Sequence, residues 1–328
     1  MKTGLSVGII GCGLIGQKRA RAHPLCHVVA CADLLEERAQ ALARLFPDAI
    51  ATRNWQDVIS HPDIEGVLIA TPHNVLSTIT LAAVDRGKHV LVEKPVGFRP
   101  RDLDPIIASM EKKGLCVKVG FNHRFHPAIW RAHEIVKSGA LGPLYFIRGR
   151  YGHGGRIGYE EEWRAQPQIS GGGELIDQGI HLVDLSRWFL GDFTEIFGFA
   201  PTYFWNMKVE DNAFLFLKTP RNQVAWLHAS WTEWKNLFSF EIVGEYGKLE
   251  VEGLGGSYGT ERLIHYRMRP EMGPPETTIW EYPFPDESFR LEFEEFLSAI
   301  HEKRQPMGNL YDARAALAII ERVYGGSQ

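Results

Sequence analysis

Cysteine is scarce in this chain. Four occur in 328 residues, at Cys12, Cys26, Cys31 and Cys116, and no two have the C-x-x-C spacing. A disulfide framework or a zinc knuckle is therefore not expected, whereas reduced thiols buried in apolar runs are. Long hydrophobic stretches are also missing, since none approaches the ~18 residues that a membrane span needs. No basic block occurs, and 36 Lys and Arg against 40 Asp and Glu give a net charge of −4, so a nucleic-acid partner is not expected. The N-terminus lacks signal-peptide architecture because the apolar residues 7–10 run straight into glycines, and the chain reads as cytoplasmic. What is present is ordinary for a globular protein. The hydrophobic fraction of 45% and the charged fraction of 23% exclude a disordered chain. The 33 glycines and 18 prolines follow no three-residue period, which excludes a fibrous one. The length predicts two domains.

Strand-like runs at 7–10, 27–32, 66–70, 89–92 and 117–119 alternate with helical patterns at 14–22, 36–46, 76–85 and 102–113. Pro24 is the expected stop of the first helix. This alternation predicts an α/β domain over residues 1–121 with a parallel sheet and right-handed crossovers. Beyond it the rhythm changes. A helix is expected over 127–137. Aromatic-rich strands follow at 144–151, 194–205, 212–218, 223–231 and 237–243, interrupted by one helix near 175–189. The tail returns to helix, with Phe289, Phe293, Phe296, Leu297 and Ile300 in one stripe and a second helix over 312–324. Residues 122–328 therefore read as an α+β domain with a large, mostly antiparallel sheet.

Gly11-Cys12-Gly13-Leu14-Ile15-Gly16 is a G-x-G-x-x-G between the first strand and the first helix. Such glycines permit a tight turn, a close approach of backbone to a pyrophosphate, and close helix–strand packing. The helix N-terminus presents free N–H groups to the phosphates. Asp33 ends the second strand, where a carboxylate accepts hydrogen bonds from ribose hydroxyls and repels a 2′-phosphate. Leu34, Leu35, Glu36 and Glu37 follow it without an arginine, so NAD is favoured over NADP. Lys94, in Glu93-Lys94-Pro95, closes another strand, where ligands of open α/β sheets bind; the competing reading is a surface lysine. Asp177, His181 and Asp184 stand at i, i+4 and i+7, on one face of a regular helix. Histidine exchanges a proton near neutral pH, and an Asp one turn away orients it or binds the same substrate. A helix staple and a metal face are the alternatives, and the absence of H-E-x-x-H and of cysteine partners argues against metal.

The ordered set Gly11 to Gly16, Glu93-Lys94-Pro95, Gly172-Gly173, Asp177 and His181 resembles the Gfo/Idh/MocA oxidoreductases over nearly the whole chain. Residues 119–127 resemble that family's inter-domain segment, and Phe293, Ala299-Ile300, Pro306 and Asp312-Ala313 its C-terminal helices. Leu76 departs from the pattern, because many members carry histidine after the Thr-Pro turn. The resemblance implies a Rossmann domain and a substrate domain, acting on a sugar, polyol or sugar derivative. It implies Lys94, Asp177 and His181 as the catalytic set. His181 would take the hydroxyl proton, Lys94 would position that oxygen, and Asp177 would orient substrate or His181. Thr71, Pro72, Glu93 and Lys94 join the glycine loop and Asp33 as expected cofactor contacts, and no metal is required. Asn122, Arg124, Arg156, Tyr159, Trp163 and Arg164 are the candidate substrate contacts. Arg156 and Arg164 would grip a carboxylate or phosphate, which leans toward an anionic or nucleotide-linked sugar. A homodimer or homotetramer through the C-terminal sheet is the expected assembly. Two other functions remain open at this point: an NAD-binding regulator without catalysis, and a redox-neutral sugar enzyme that retains its NAD.

Overall fold

The computed structural model describes residues 4–22 and 26–326 and divides the chain into two compact units. The first comprises the residues through Phe121 together with Phe289–Arg314; the second comprises Asn122–Ser288 and the residues from Ala315 on. Pro24 lies outside the described residues.

In the first unit the elements run β1 (Leu5–Ile10), α1 (Leu14–Arg21), β2 (Cys26–Ala32), α2 (Glu36–Ala43), β3 (Ile50–Thr52), α3 (Trp55–Ser60), β4 (Gly66–Ile69), α4 (His73–Asp85), β5 (His89–Val92), α5 (Asp104–Lys113) and β6 (Val117–Val119). Every strand pair is parallel, in the order β3-β2-β1-β4-β5-β6. That order reverses between β1 and β4, which opens the crevice where doubly wound sheets bind dinucleotides. The central strands are apolar throughout because helices cover both faces: Val7, Ile9, Val67, Leu68, Ile69, Val90, Leu91 and Val92 are buried. All four cysteines are free and buried. The short pair β3 and α3 escaped the sequence reading, since three residues of strand and six of helix carry no period long enough to detect.

The second unit continues with α6 (Pro127–Lys137), β7 (Leu144–Gly152), α7 (Pro167–Ser170), α8 (Ile180–Leu190), β8 (Glu195–Phe199), β9 (Asn212–Lys218), β10 (Val224–Ser230), β11 (Leu237–Gly244), β12 (Gly247–Glu252), β13 (Glu261–Arg267) and β14 (Glu276–Tyr282). Their order is β14-β13-β12-β11-β7-β10-β9-β8. Only the β7–β10 pair is parallel, so the sheet is mostly antiparallel as expected. The strand expected over 194–205 ends at Phe199. Strands β12 to β14 were not anticipated from the sequence, although β12 alternates buried and half-buried residues. Helix α8 lies across the sheet. A Cβ at Gly149 would sit 3.2 Å from Leu182 of α8 and 3.2 Å from Phe240 of β11, so the absent side chain at 149 admits the helix.

Two further helices, α9 (Ser288–Glu302) and α10 (Leu310–Gly326), complete the chain. The sequence reading placed residues 289–314 with the second domain; the structure assigns them to the first unit. The reason is twofold. The stripe Phe293, Phe296, Leu297 and Ala299 packs with Val7, Ile9, Val28, Leu42 and Leu68 in one core. A buried charge network also ties the segment down. Arg19 of α1 contacts Glu93 after β5 and Glu292 of α9, each at 2.6 Å, and Lys118 of β6 lies 3.5 Å from Glu292. Lys118 also donates to the carbonyl of Met307, and the Val119 N–H donates to Gly308 at 2.8 Å. Burial pushes the Glu93 carboxyl above its ordinary range, against the pull of Arg19.

Removing one partner from such a cluster leaves a buried charge unmatched, which costs about 3–5 kcal/mol. Glu292→Ala is accordingly expected to lower the melting temperature by roughly 10 °C in a thermal scan. A change below about 2 °C would show that the network does not hold the segment.

Candidate active site

In the first unit the candidate cofactor cradle is built by backbone. Gly11 adopts φ +90°, and a Cβ there would lie 2.4 Å from the Ala70 carbonyl oxygen. The turn after β1 therefore presses against the end of β4, at the switch point. A Cβ at Gly16 would lie 1.9 Å from the Gly11 oxygen, so α1 starts tight against the turn. At Gly13 a Cβ would meet no atom within 4 Å, and no side chain caps the α1 N-terminus. An open concavity faced by uncapped N–H groups fits a pyrophosphate. Asp33 closes the arrangement. Its Oδ2 accepts from the Cys12 N–H at 2.8 Å and its Oδ1 from the Leu35 N–H at 3.0 Å, which orients the carboxylate at the end of β2. The Cys12 contact was not foreseen; it spans 21 residues, and any residue but proline at 12 would supply the same N–H. Leu14 is 72% exposed at the helix start, Ile15 and Thr71 are half-buried, and Pro72 is exposed before α4. Glu93 belongs to the charge network, and Lys94 follows it at the carboxyl end of β5, partly buried.

In the second unit the expected single helix over 175–189 is two segments. A π-helical turn covers Leu175–Gly179 and α8 follows. The wider turn breaks the 3.6 period, and Asp177, His181 and Asp184 make different contacts. Asp177 accepts from Arg164 Nε at 2.9 Å. His181 stacks on His123, with ring centroids 3.7 Å apart and planes 16° from parallel. Asp184, fully buried, accepts two bonds from Arg124 at 2.8 and 2.5 Å. The turn is held from beneath by Glu210, which accepts from the N–H groups of Gly173 (2.9 Å) and Leu175 (3.1 Å) and from the Tyr324 hydroxyl (2.7 Å). Burial pushes the Glu210 carboxyl up, and these three donors pull against it.

Two family models match the chain. An oxidoreductase family with an NAD-binding Rossmann fold covers residues 5–121, and the GFO/IDH/MocA C-terminal domain covers 129–250. The chain belongs to the Gfo/Idh/MocA oxidoreductases. Levoglucosan dehydrogenase from Pseudarthrobacter phenanthrenivorans is 31% identical over 207 residues, 58% of this chain and 53% of that protein. An inositol 2-dehydrogenase/D-chiro-inositol 3-dehydrogenase from Lactiplantibacillus plantarum is 22% identical over 316 residues, 92% of this chain and 85% of that protein. A solved structure of levoglucosan dehydrogenase with NADH and L-sorbose has the same fold, with a TM-score of 0.88 over 99% of this chain and 97% of that one at 23% identity. The match spans about half the length of the first curated relatives, 53% and 55% for two of them. Among the described residues no helix is long and apolar enough to cross a membrane.

Against this Gfo/Idh/MocA frame, several expected substrate contacts change role. Arg124 is a packing residue, buried, bonded to Asp184 and lying 5.4 Å over the Trp188 ring. Tyr159 is 2% exposed and clusters with Val209 and Trp231, so it serves the core and not a sugar face. Arg156 pairs with Glu162 at 2.6 Å, and Arg164 lies 2.9 Å from Asp177 and 3.8 Å from Glu162. Two arginines thus alternate with two carboxylates, and the cationic grip on which an anionic sugar depended is already matched within the protein. Trp163 lies under the Arg164 guanidinium at 4.5 Å. Asn122 donates to Ser288 Oγ at 2.9 Å. His123 was given no role from the sequence, where it stood only within the segment 119–127 that resembles the family's inter-domain segment.

The loop after β7 carries a further titrating group. His153 Nδ1 accepts from the Gly155 N–H at 2.9 Å, and burial lowers its pKa from 6.5. The unfolded chain therefore binds the proton more readily, and the stability contributed is full above about pH 6.5 and lost as pH falls through the lower folded value. The melting temperature is expected to decline below pH 6.5, and less steeply in His153→Asn, whose amide oxygen can replace Nδ1. Identical slopes in the two proteins would refute this. The glycine loop makes a second prediction. Gly13→Ala leaves the melting temperature within about 2 °C yet weakens NAD by about tenfold or more in calorimetric titration, whereas Gly16→Ala destabilises the fold itself. Unchanged NAD affinity in Gly13→Ala would place the pyrophosphate elsewhere.

Proposed function

We propose that this protein is an NAD-dependent dehydrogenase or reductase that transfers hydride between nicotinamide and a hydroxyl- or keto-bearing carbon of a neutral sugar or polyol. The observation that carries the reading is the cradle itself: an open Gly13 over an uncapped helix N-terminus, flanked by an Asp33 carboxylate fixed by the Cys12 N–H. Residues 11–16 would hold the pyrophosphate, Asp33 the adenosine ribose, and Thr71, Pro72 and Glu93 the remainder. The Asp33 carboxylate favours NAD over NADP. A neutral substrate is supported by the charge balance of Arg156, Glu162, Arg164 and Asp177.

When bound, NAD supplies the hydride acceptor. The protein supplies the proton chemistry. His181 takes the hydroxyl proton as the carbon is oxidised and returns it in reduction. Lys94 is proposed as the donor that stabilises developing negative charge on a substrate oxygen. Asp177, held by Arg164, positions a neighbouring hydroxyl. We also propose a homodimer or homotetramer through the outer sheet face, where Phe197, Phe216 and Trp226 stand side by side across β8, β9 and β10, exposed by 60%, 43% and 48%.

The test is NADH formation from NAD with a panel containing myo-inositol, levoglucosan, glucose and glucuronate. Neutral members are expected to turn over faster than glucuronate. His181→Ala should retain NAD affinity and lose about 10²–10⁴-fold in turnover. Asp33→Ala should weaken NAD roughly 10- to 100-fold and NADP much less. Full turnover in His181→Ala would sink the mechanism, and equal affinity of the unmutated protein for both cofactors would remove the role given to Asp33.

A further inference from the structure

The general acid–base of the reading above does not stand alone in its unit. His123 lies face to face with His181 at 3.7 Å, and both residues are 5% exposed. An aromatic ring chosen only to fill this space has no need of nitrogen. Yet His123 Nδ1 lies 3.2 Å from Asn122 Oδ1, and the Asn122 amide nitrogen is committed as donor to Ser288 Oγ. Asn122 therefore offers His123 an acceptor, so neutral His123 carries its hydrogen on Nδ1 and a lone pair on Nε2. The rest of the His123 surroundings fixes the ring in place. Tyr151 and Phe238 approach it edge-on at 5.1 and 5.9 Å, and His126 at 5.7 Å.

The charges around the stack are already matched. Arg124, next in sequence, is bound by Asp184 of α8. Arg164 is bound by Asp177 of the π-helical turn. His126 Nδ1 lies 3.0 Å from Glu261 of β13, and its Nε2 is 3.9 Å from Asp286. Tyr151 of β7 and Tyr258 are held protonated by burial. Glu174, fully buried, acts on both tyrosines, as does Asp177. Of two positive charges on the stack, the second would sit directly against the first across 3.7 Å.

We propose that His123 is a positioning residue for His181: anchored by Asn122, it sets the plane of the His181 ring and restricts the stacked pair to a single proton. With that proton on His123, His181 is kept as a neutral base over a wider range of pH than a lone histidine at the same place. The proposal rests on His181 being the acid–base group, but its central claim, coupled protonation of two stacked rings, does not require turnover to be measured.

The experiment is an NMR titration of the full-length protein labelled in its histidine rings, with resonances assigned through His123→Phe and His181→Phe. The unmodified protein is expected to show His123 and His181 titrating in two coupled steps at least one pH unit apart. In His123→Phe, which keeps a flat ring at this place, His181 should titrate in one step displaced upward by about 0.5–1.5 units. Should that variant fail to fold, His123→Gln gives the same readout. A His181 curve superimposable on that of the unmodified protein overturns the proposal. With a panel sugar that turns over, the acid limb of kcat/KM should move with the NMR curve while KM changes less than twofold; an unmoved limb also overturns it. Failure of the reading on which it rests would instead show as no NADH formed with any panel member, or as full turnover in His181→Ala, while the unmodified protein still shows the coupled titration.

Discussion

The first unit depends on a buried cluster of four charges. Arg19 and Lys118 face Glu93 and Glu292, from α1, β6, the end of β5 and α9. Two cations and two anions balance, which is the condition under which buried charges are tolerated. The cluster joins the helix that opens at the glycine loop to the strand end that carries Lys94, and recruits a segment from near the end of the chain. The geometry of the cofactor cradle and of Lys94 is thus set through one shared group, the Arg19 guanidinium. Burial of apolar surface by Phe293 and Phe296 supplies the bulk driving force, and the charges specify the register.

In the second unit a different device does the corresponding work. The chain before α8 runs through three glycines, and a Cβ at Gly173 would lie 1.9 Å from the Glu210 carbonyl oxygen. The glycine lets the loop carrying Glu210 approach, and the Glu210 carboxylate then takes the N–H groups of the turn. A π-helical turn is tolerated here because those N–H groups have a partner outside the helix. Its consequence is chemical. Asp177, His181 and Asp184 address three different partners, although their spacing suggests one shared face.

Charge matching also bears on the substrate. Arginines in a glycine-rich loop suggest anion recognition, but an arginine already bound to a carboxylate offers little net field to an anion. Arg156, Arg164 and Arg124 each have such a carboxylate.

What was legible in the sequence was what depends on near neighbours. The alternation of apolar runs and helical stripes follows from backbone periodicity, so the parallel sheet and the mostly antiparallel one were both readable. The G-x-G-x-x-G loop was readable as a local motif: Gly16 answers a steric demand made by Gly11, although Gly11 itself answers one made by Ala70, and Asp33 follows at the end of the very next strand. Lys94 and His181 were singled out as candidates through the ordered motif set. The tertiary structure decided the rest. Pairing of Arg124 with Asp184, of Arg164 with Asp177 and of Arg19 with Glu292 depends on which of many charged side chains packing brings within about 3 Å, and no local rule selects among them. Stacking of His123 on His181 is of the same kind. The return of residues 289–314 to the first unit likewise reflects a helix stripe that is apolar by sequence but finds its covering face only when the sheet has formed.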